Sequence, residues 1–296
     1  MPSTREMRLR IRSVKSISQV TRALETVAAS KVRRAVQSVT ATKPYSEKAW
    51  KVLIHLAREP GHTNLHPLLT ERDQVNKILV VFVSGDRGLA GAYNVNVLRN
   101  TLGFVRDFEQ PVSFIAVGRK GRDMLVRRRF ALLAEFSNIA SPPTFLDISP
   151  IGQLAVDEFL AGNFDQVYLA YTDYVNMINQ VPVFRKLLPL DVKYSDTDNS
   201  DFSTTHHSKG YFQFEPGPEE ILSEIVPRFT ALQIYQSILS AQASEHAARM
   251  VAMRNATDNA NELIAGLELE YNKMRQQIIT NEMLDITSGA EALTNS

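Results

Sequence analysis

The chain has no cysteine in its 296 residues, which excludes disulfide bonds and thiolate metal sites. No apolar run reaches the ~20 residues that a membrane-spanning helix needs. The charged first twelve residues do not resemble a secretory signal, so we expect a soluble protein of a reducing compartment. Proline is absent from Ser3–Lys43 and from Arg228–Ser296. Because proline disrupts helix interiors, these two ends are each predicted to form one long helix.

The two ends also carry opposite charge, although the net charge is only +1. Residues 1–58 hold 13 Lys and Arg against 3 Asp and Glu, whereas residues 218–296 hold 5 against 11. Opposite charges favour the pairing of these segments. We therefore expect the two helices to pair as a rod, which is more often a mechanical or adaptor element than a catalytic one.

The first helix begins with Ser3 and Glu6 at the spacing of a capping box. Apolar residues then recur at steps of three and four, which predicts the buried stripe Met7, Ile11, Val14, Ile17, Val20, Leu24 and Val27. A basic stripe runs beside it and comprises Arg5, Arg8, Arg12, Lys15 and Arg22. This basic stripe is either a solvated helix face or a surface for acidic partners. Pro44 is expected to bend or interrupt the helix, which resumes over Ser46–Arg58.

The middle of the chain has short apolar runs that alternate with helical patterns. The predicted strands are Ile78–Val83, Val112–Val117, Phe130–Ala134, Val167–Val175 and Val181–Leu188, and the last two are predicted to form a hairpin. The predicted helices between them are Asn94–Glu109, Gly121–Arg129 and Ile151–Ala161. This alternation predicts a small, mostly parallel α/β sheet. The expected domain limits are 1–58, 59–217 and 218–296.

The last helix is predicted to begin near Pro218, with a kink at Pro227. A coiled-coil seam is predicted from the spacing of Ile264, Leu267, Tyr271, Met274 and Ile278. Beyond the seam, an apolar tip (Met283, Leu284, Ile286 and Leu293) is expected to need a partner to cover it.

A glycine-rich segment, Ser84–Gly91, follows the first predicted strand, which is where nucleotide-binding loops lie. Its glycines are spaced G-x-x-G-x-x-G, and no G-K-S/T follows them. A tight turn that presents Asp86 and Arg87 is the alternative to a phosphate site. His206 and His207 have no third ligand at useful spacing, and His246 on the last helix is expected to have a helix-surface or interhelical hydrogen-bonding role. Nucleophile and zinc-protease motifs are absent from the sequence, which favours a protein without catalysis of its own.

Four strings resemble one known family. Residues 11–34 (IRSVKSISQVTRALETVAASKVRR) are similar to the first helix of the gamma subunit of F-type ATP synthases. Residues 84–94 (SGDRGLAGAYN) resemble that family's S-x-D-R-G-L-C-G-x-x-N segment. Residues 244–259 (SEHAARMVAMRNATDN) and 271–293 (YNKMRQQIITNEMLDITSGAEAL) resemble its C-terminal signature. The resemblance covers nearly the whole chain.

The resemblance implies a long antiparallel coiled coil of the N- and C-terminal helices, with a small α/β (Rossmann-like) domain. It implies a central rotor shaft without an active site or cofactor, present in one copy per complex. The implied partners are three alpha and three beta subunits, the epsilon subunit and the membrane c-ring, with no nucleic acid. The implied location is the cytoplasmic side of the bacterial plasma membrane, as a peripheral protein with no cleavable signal.

The resemblance also implies contact residues. Arg275, Gln276, Arg87 and Ala90 match family positions at the beta subunit, although Ala90 stands where the family often has cysteine. Phe212, Phe214 and Glu215 match a segment near the c-ring, although tyrosine is common at the position of Phe214. The basic stripe would face acidic stator surfaces.

Two other functions remain open from the residues alone. One is a helical hairpin whose basic helix grips nucleic acid, although that helix has no aromatic residue before Pro44 to stack on bases. The other is a nucleotide-dependent enzyme that uses the loop Gly85–Gly91. Binding that weakens steeply with salt would favour the first function, and tight nucleotide binding by the isolated chain would favour the second.

Overall fold

A computed structural model describes residues 3–58, 67–72, 74–190 and 218–294. The chain forms two compact units. One is Ser30–Ala248, and the other combines Met1–Ala29 with Arg249–Ser296. The domain limits predicted from the sequence follow the ends of secondary-structure elements, whereas these two units are defined by packing. The predicted limits therefore stay a prediction.

Five helices and five strands make up the described part of the chain. The helices are α1 (Thr4–Arg58), α2 (Tyr93–Val105), α3 (Arg119–Arg127), α4 (Phe145–Leu160) and α5 (Pro218–Thr294). The strands are β1 (Ile78–Val83), β2 (Val112–Val117), β3 (Ala131–Phe136), β4 (Gln166–Tyr174) and β5 (Gln180–Leu188), and a short 3-10 helix spans Pro67–Leu69. The two long terminal helices and the β4–β5 hairpin are therefore confirmed.

The strands form one sheet in the order β3-β2-β1-β4-β5. The first four strands are parallel, and β5 pairs antiparallel with β4. Central strand β1 is buried on both faces, as expected of a strand covered by helices on each side. Val80 and Phe82 pack toward α2 and α3, whereas Leu79 and Val81 pack in the cluster that contains residues of α1, α4 and α5. The mostly parallel α/β sheet is confirmed.

The two largest errors in the predicted helix limits lie in α1 and α4, and α2 also ends at Val105 rather than Glu109. Helix α1 is not interrupted at Pro44 and continues to Arg58. An internal proline costs about 3 kcal/mol of helix stability. Packing of the helix before and after Pro44 offsets this cost, and Trp50 stacks on Phe229 with ring centroids 5.2 Å apart. Helix α4 begins at Phe145 rather than Ile151, because the Asp147 carboxylate accepts the Thr144 N–H at 2.8 Å in a capping box.

In the unit formed by 1–29 and 249–296, α1 and α5 pair antiparallel. Increasing positions on α1 meet decreasing positions on α5 in the contacts Arg8–Tyr271, Lys15–Glu268, Ser18–Asn261 and Thr21–Thr257. Buried and half-buried residues of α5 follow a repeat of three and four, namely Met253, Thr257, Ala260, Ile264, Leu267, Tyr271 and Met274. This is the spacing of a coiled coil. Of the predicted seam residues, Ile278 alone is exposed, at 40%.

The seam of α1 departs from the predicted stripe after Val14. Ile17, Val20 and Val27 are 52%, 58% and 54% exposed. The buried and half-buried positions instead include Met7, Ile11, Val14, Ser18, Thr21, Glu25 and Ala28, which keep a strict repeat of four and three, and Leu24 of the predicted stripe is also half-buried. The predicted stripe took three successive steps of three, from Ile11 to Val20, so it falls one position short of the observed seam and is rotated by about 100° from the partner helix. The middle of the seam is consequently polar, with the Thr21 and Thr257 hydroxyls 2.7 Å apart.

An ion pair joins the segment before β1 to the start of β4, in the Ser30–Ala248 unit. The Asp165 carboxylate accepts Arg72 at 2.7 Å and the N–H groups of Asn76 and Lys77 at 2.7 and 3.1 Å. Burial by itself would raise the pKa of Asp165, but these hydrogen bonds outweigh it and hold the pKa below its ordinary value of 3.8. Arg72 also lies over the Phe159 ring, 4.8 Å from its centroid.

We expect Asp165→Asn to lower the free energy of unfolding of the full chain by about 3 kcal/mol at neutral pH, because it leaves Arg72 without its partner. The folded pKa lies below 3.8, so the contribution of Asp165 is complete above that pH and is lost as the pH falls through the folded value. Urea unfolding across a pH series should therefore show the wild-type advantage shrinking only in acid. Asp107→Asn, at an exposed carboxylate, is the control. An advantage that does not change with pH would contradict this assignment.

Candidate functional site

The glycine-rich segment forms the β1–α2 loop, Ser84–Ala92, at the carboxyl edge of the sheet. Because β1, β2 and β3 are parallel, the segments that follow them meet at this edge. The Ser84 N–H extends the ladder by donating to the Val117 carbonyl at 2.8 Å. The Ser84 hydroxyl accepts the Gly121 N–H at 2.8 Å. The loop is thereby joined to the start of α3.

Two glycines after β2 permit this close approach. Gly118 has a φ of +100°, which disfavours other residues, and a Cβ there would lie 2.3 Å from the Ser84 carbonyl oxygen. A Cβ at Gly121 would lie 2.4 Å from the Ser84 hydroxyl oxygen. The loops after β1 and β2 therefore pack backbone against backbone.

Asp86 joins three loops of the carboxyl edge. Its carboxylate accepts the Arg119 N–H at 3.0 Å and the Asn138 N–H at 2.9 Å, and it lies 3.7 Å from Arg119 Nε. The expectation that the turn presents Asp86 along with Arg87 was therefore wrong for Asp86, because both of its carboxylate oxygens accept hydrogen bonds within the domain.

The turn does present Arg87, whose side chain is exposed, together with Leu89, which is 68% exposed at a φ of +62°. Ala90 is only 2% exposed, so its side chain packs inside the domain and is not available for direct contact. The Arg87 guanidinium is the exposed charge of this loop.

The loop is poorly suited to bind a phosphate group. The Gly85 N–H is already donated to the Asn94 side chain at 2.9 Å. The Glu245 carboxylate of α5 lies against Gly85, where its negative charge would repel an anion. This geometry favours the tight-turn interpretation of the glycines over nucleotide binding.

The basic stripe of α1 divides into two groups. Arg8 donates to the Tyr271 hydroxyl at 2.8 Å, and Lys15 pairs with Glu268 at 2.7 Å, so both contribute to helix pairing. Arg5, Arg12 and Arg22 are exposed and form no ion pair with the described residues. All five side chains are exposed, but only those of this second group form neither a hydrogen bond nor an ion pair within the described residues.

Past Met274, α5 has no covering partner within the described residues. Every residue from Arg275 to Ser288 is exposed, including Arg275 and Gln276. The apolar members of this segment are Ile278, Ile279, Met283, Leu284 and Ile286, with exposures from 40% to 71%. An exposed apolar segment of this length indicates an interaction surface. Leu293 lies among residues whose side chains are not described.

Several predictions fall outside the described residues. They include the c-ring contacts Phe212, Phe214 and Glu215, and the pair His206 and His207. Within the described ranges, no group of three His, Cys, Asp or Glu side chains could hold a metal ion. Within the same ranges, no helix is long and apolar enough to cross a membrane.

His246 forms a hydrogen bond as expected, but its side chain is buried rather than on the helix surface, and the partner Ser141 lies outside any helix. His246 is 5% exposed, and its Nε2 lies 2.9 Å from the Ser141 hydroxyl in the segment between β3 and α4. The contact of Glu245 with Gly85 was not predicted. A glycine with ordinary φ carries no local signal that another element approaches it.

Comparison with known proteins gives one consistent family. A family model described as ATP synthase matches residues 3–293. The ATP synthase gamma chain of Roseiflexus sp. (strain RS-1) is 44% identical over 296 residues, which cover 99% of each chain. That of Dehalococcoides mccartyi (strain CBDB1) is 44% identical over 295 residues, or 99% of this chain and 100% of the relative.

A solved structure shares the fold. A chain of the Euglena gracilis mitochondrial ATP synthase, determined by cryo-electron microscopy in rotational state 3, superposes with a TM-score of 0.66. The match covers 98% of this chain and 94% of that chain at 20% sequence identity. The long terminal helices and the five-stranded sheet are thus an arrangement already known.

We expect Asp86→Ala to loosen the carboxyl edge, because it leaves the N–H groups of Arg119 and Asn138 without acceptors, at a cost of about 2 kcal/mol. Hydrogen exchange measured by mass spectrometry should speed up in the peptides that contain Arg119 and Asn138. Arg87→Ala, at the next residue, removes an exposed side chain and should leave exchange unchanged. Equal exchange in the Asp86→Ala and wild-type chains would show that this carboxylate does not hold the edge together.

Proposed function

Because this chain belongs to the ATP synthase gamma-chain family, we propose that it is the central rotor shaft of an F-type ATP synthase. The shaft couples ion-driven rotation of the membrane c-ring to ATP synthesis or hydrolysis at the alpha and beta subunits. The observation that carries this proposal is the exposed end of α5, Arg275–Ser288, which extends past the helix pairing and includes apolar side chains. A segment of this kind is expected to be enclosed by partners.

The partners that fit are three alpha and three beta subunits around the helices, with the epsilon subunit and the c-ring as further contacts. One copy of this chain serves each complex. Nucleotide chemistry takes place in the other subunits, and this chain needs no cofactor. We place it at the cytoplasmic side of the bacterial plasma membrane, as a peripheral protein.

The mechanism depends on asymmetry. A single helix pair cannot present the same side chains to three equivalent interfaces at once. Each angular position therefore stabilises a different conformation at each interface, and rotation changes nucleotide affinity in turn. The exposed residues Ile17, Val20 and Val27 of α1 lie on a face turned away from α5 and add to this asymmetry.

Particular exposed side chains of this chain bind the surrounding subunits at particular angles of the shaft. Arg275 and Gln276 are exposed and free to engage a loop of a beta subunit. Arg87, at the carboxyl edge of the sheet, is free to meet an acidic segment of beta. Arg5, Arg12 and Arg22 supply the stator-facing part of the basic stripe. Exposed ion pairs are individually weak, which suits contacts that have to form and break in each turn.

We expect Arg275→Ala to reduce ATP turnover by the assembled complex roughly fivefold, because a contact that favours particular shaft angles is lost. Assembly should persist, since the Arg275 side chain is exposed. Turnover is measured on complex purified through a tag on this chain, with subunit stoichiometry determined in the same sample.

Lys273→Ala, two residues earlier on the same helix and also exposed, is the matched control. Full turnover by well-assembled Arg275→Ala complex would contradict the gripping role of Arg275. Failure of alpha and beta subunits to purify with the tagged wild-type chain would contradict the proposed function itself.

A further inference from the structure

In its last turns within the Ser30–Ala248 unit, helix α5 contacts both the β1–α2 loop and Tyr93, the first residue of α2. The Tyr93 hydroxyl donates to the Ala241 carbonyl at 3.1 Å. One turn further on, the Glu245 carboxylate lies against Gly85. Both contacts join the loop that carries Arg87 to the helix that continues to Arg275.

The fit at Gly85 is close. A Cβ at Gly85 would lie 2.8 Å from Glu245 Cδ, and 2.9 and 3.0 Å from the two carboxylate oxygens. Gly85 has no positive φ that would require glycine for conformational reasons. Absence of a side chain at this position is therefore explained by the approach of Glu245.

Gly85 is also held on its other sides. Its N–H donates to the Asn94 side chain at 2.9 Å, and its carbonyl accepts the Lys120 N–H at 3.1 Å. Asp86, the next residue, is fixed by Arg119 and Asn138. Arg87 thus projects from a segment whose preceding residues cannot shift without breaking these contacts.

We propose that Glu245 is a positioning residue that fixes the Arg87 loop on α5, so that a force acting on Arg87 passes directly into the shaft. This inference rests on the proposed function. Without the contact, the loop that carries Arg87 is joined to α5 through the hydrogen bond of Tyr93, at the start of α2, and through the sheet. The role of Glu245 is therefore the efficiency of coupling rather than the stability of the fold.

The first test uses paired substitutions. Gly85→Ala places a methyl group within 3.0 Å of the carboxylate and should displace Glu245. Coupling, measured as ions pumped per ATP hydrolysed in membrane vesicles that contain the complex, should fall roughly threefold in Gly85→Ala and in Glu245→Ala. The double variant Gly85→Ala/Glu245→Ala should be no worse than Glu245→Ala alone, since the clash is removed.

The second test asks whether Glu245 acts through Arg87. In an Arg87→Ala background the loop has lost the charge that receives force, so Glu245→Ala should produce no further loss of coupling. Glu224→Ala, at an exposed carboxylate of the same helix, is the control and should leave coupling unchanged. Thermal unfolding of each complex separates a loss of folding from a loss of coupling.

The inference would be overturned if Glu245→Ala lowered coupling as much in the Arg87→Ala background as it does in the wild-type chain. Full coupling in a well-assembled Glu245→Ala complex would overturn it as well. Either result leaves the rotor function intact, because that function is judged separately by co-purification of alpha and beta subunits and by the Arg275→Ala complex.

Discussion

Pairing of the first and last helices is the interaction on which the rest of the structure depends. Seam residues repeat every three and four positions on both helices, from Met7 to Ala28 and from Met253 to Met274. Two threonine hydroxyls meet in the middle of the seam, and an Arg–Tyr contact and a Lys–Glu ion pair flank it. A polar pair inside the seam favours one register, because a slip would separate the two hydroxyls and leave each with only its bond to a carbonyl of its own helix, at Ser18 or Met253. A shaft that transmits torque needs such a fixed register.

The carboxyl edge of the sheet is held rigid by hydrogen bonds and close backbone packing rather than by a helix seam. Parallel order brings the segments after β1, β2 and β3 together, and Asp86 accepts N–H groups from two of them. Glycines at 85, 118 and 121 allow backbone and carboxylate groups to approach within distances that a side chain would prevent. The family's glycine-rich string thus builds a stiff support for Arg87 and Leu89, and its glycines are used for packing rather than for phosphate binding.

Much of the fold follows from local pattern. Continuous apolar runs located β1 and β2, since central strands of a parallel sheet are buried on both faces, and shorter apolar segments located the other three strands. Proline-free ends located α1 and α5. Local pattern gave the wrong residues where tertiary packing determines which side chains are buried. The α1 seam contains Ser18 and Thr21 because these positions face the partner helix, although Ile17 and Val20 are more apolar. The contacts of Asp86 and Glu245 could not be predicted from local pattern either, because their partners are more than thirty positions away in the sequence.

The central claim, that α1 and α5 turn as one body, is tested most directly by a disulfide across the seam. Thr21→Cys/Thr257→Cys suits this test, because the two hydroxyl oxygens are 2.7 Å apart and the chain has no other cysteine. The measurement is ATP turnover by the complex before and after oxidation of that pair. Unchanged turnover in fully cross-linked complex is the predicted result. A loss of turnover on oxidation that reduction restores would show that the helices move against one another and would contradict the account.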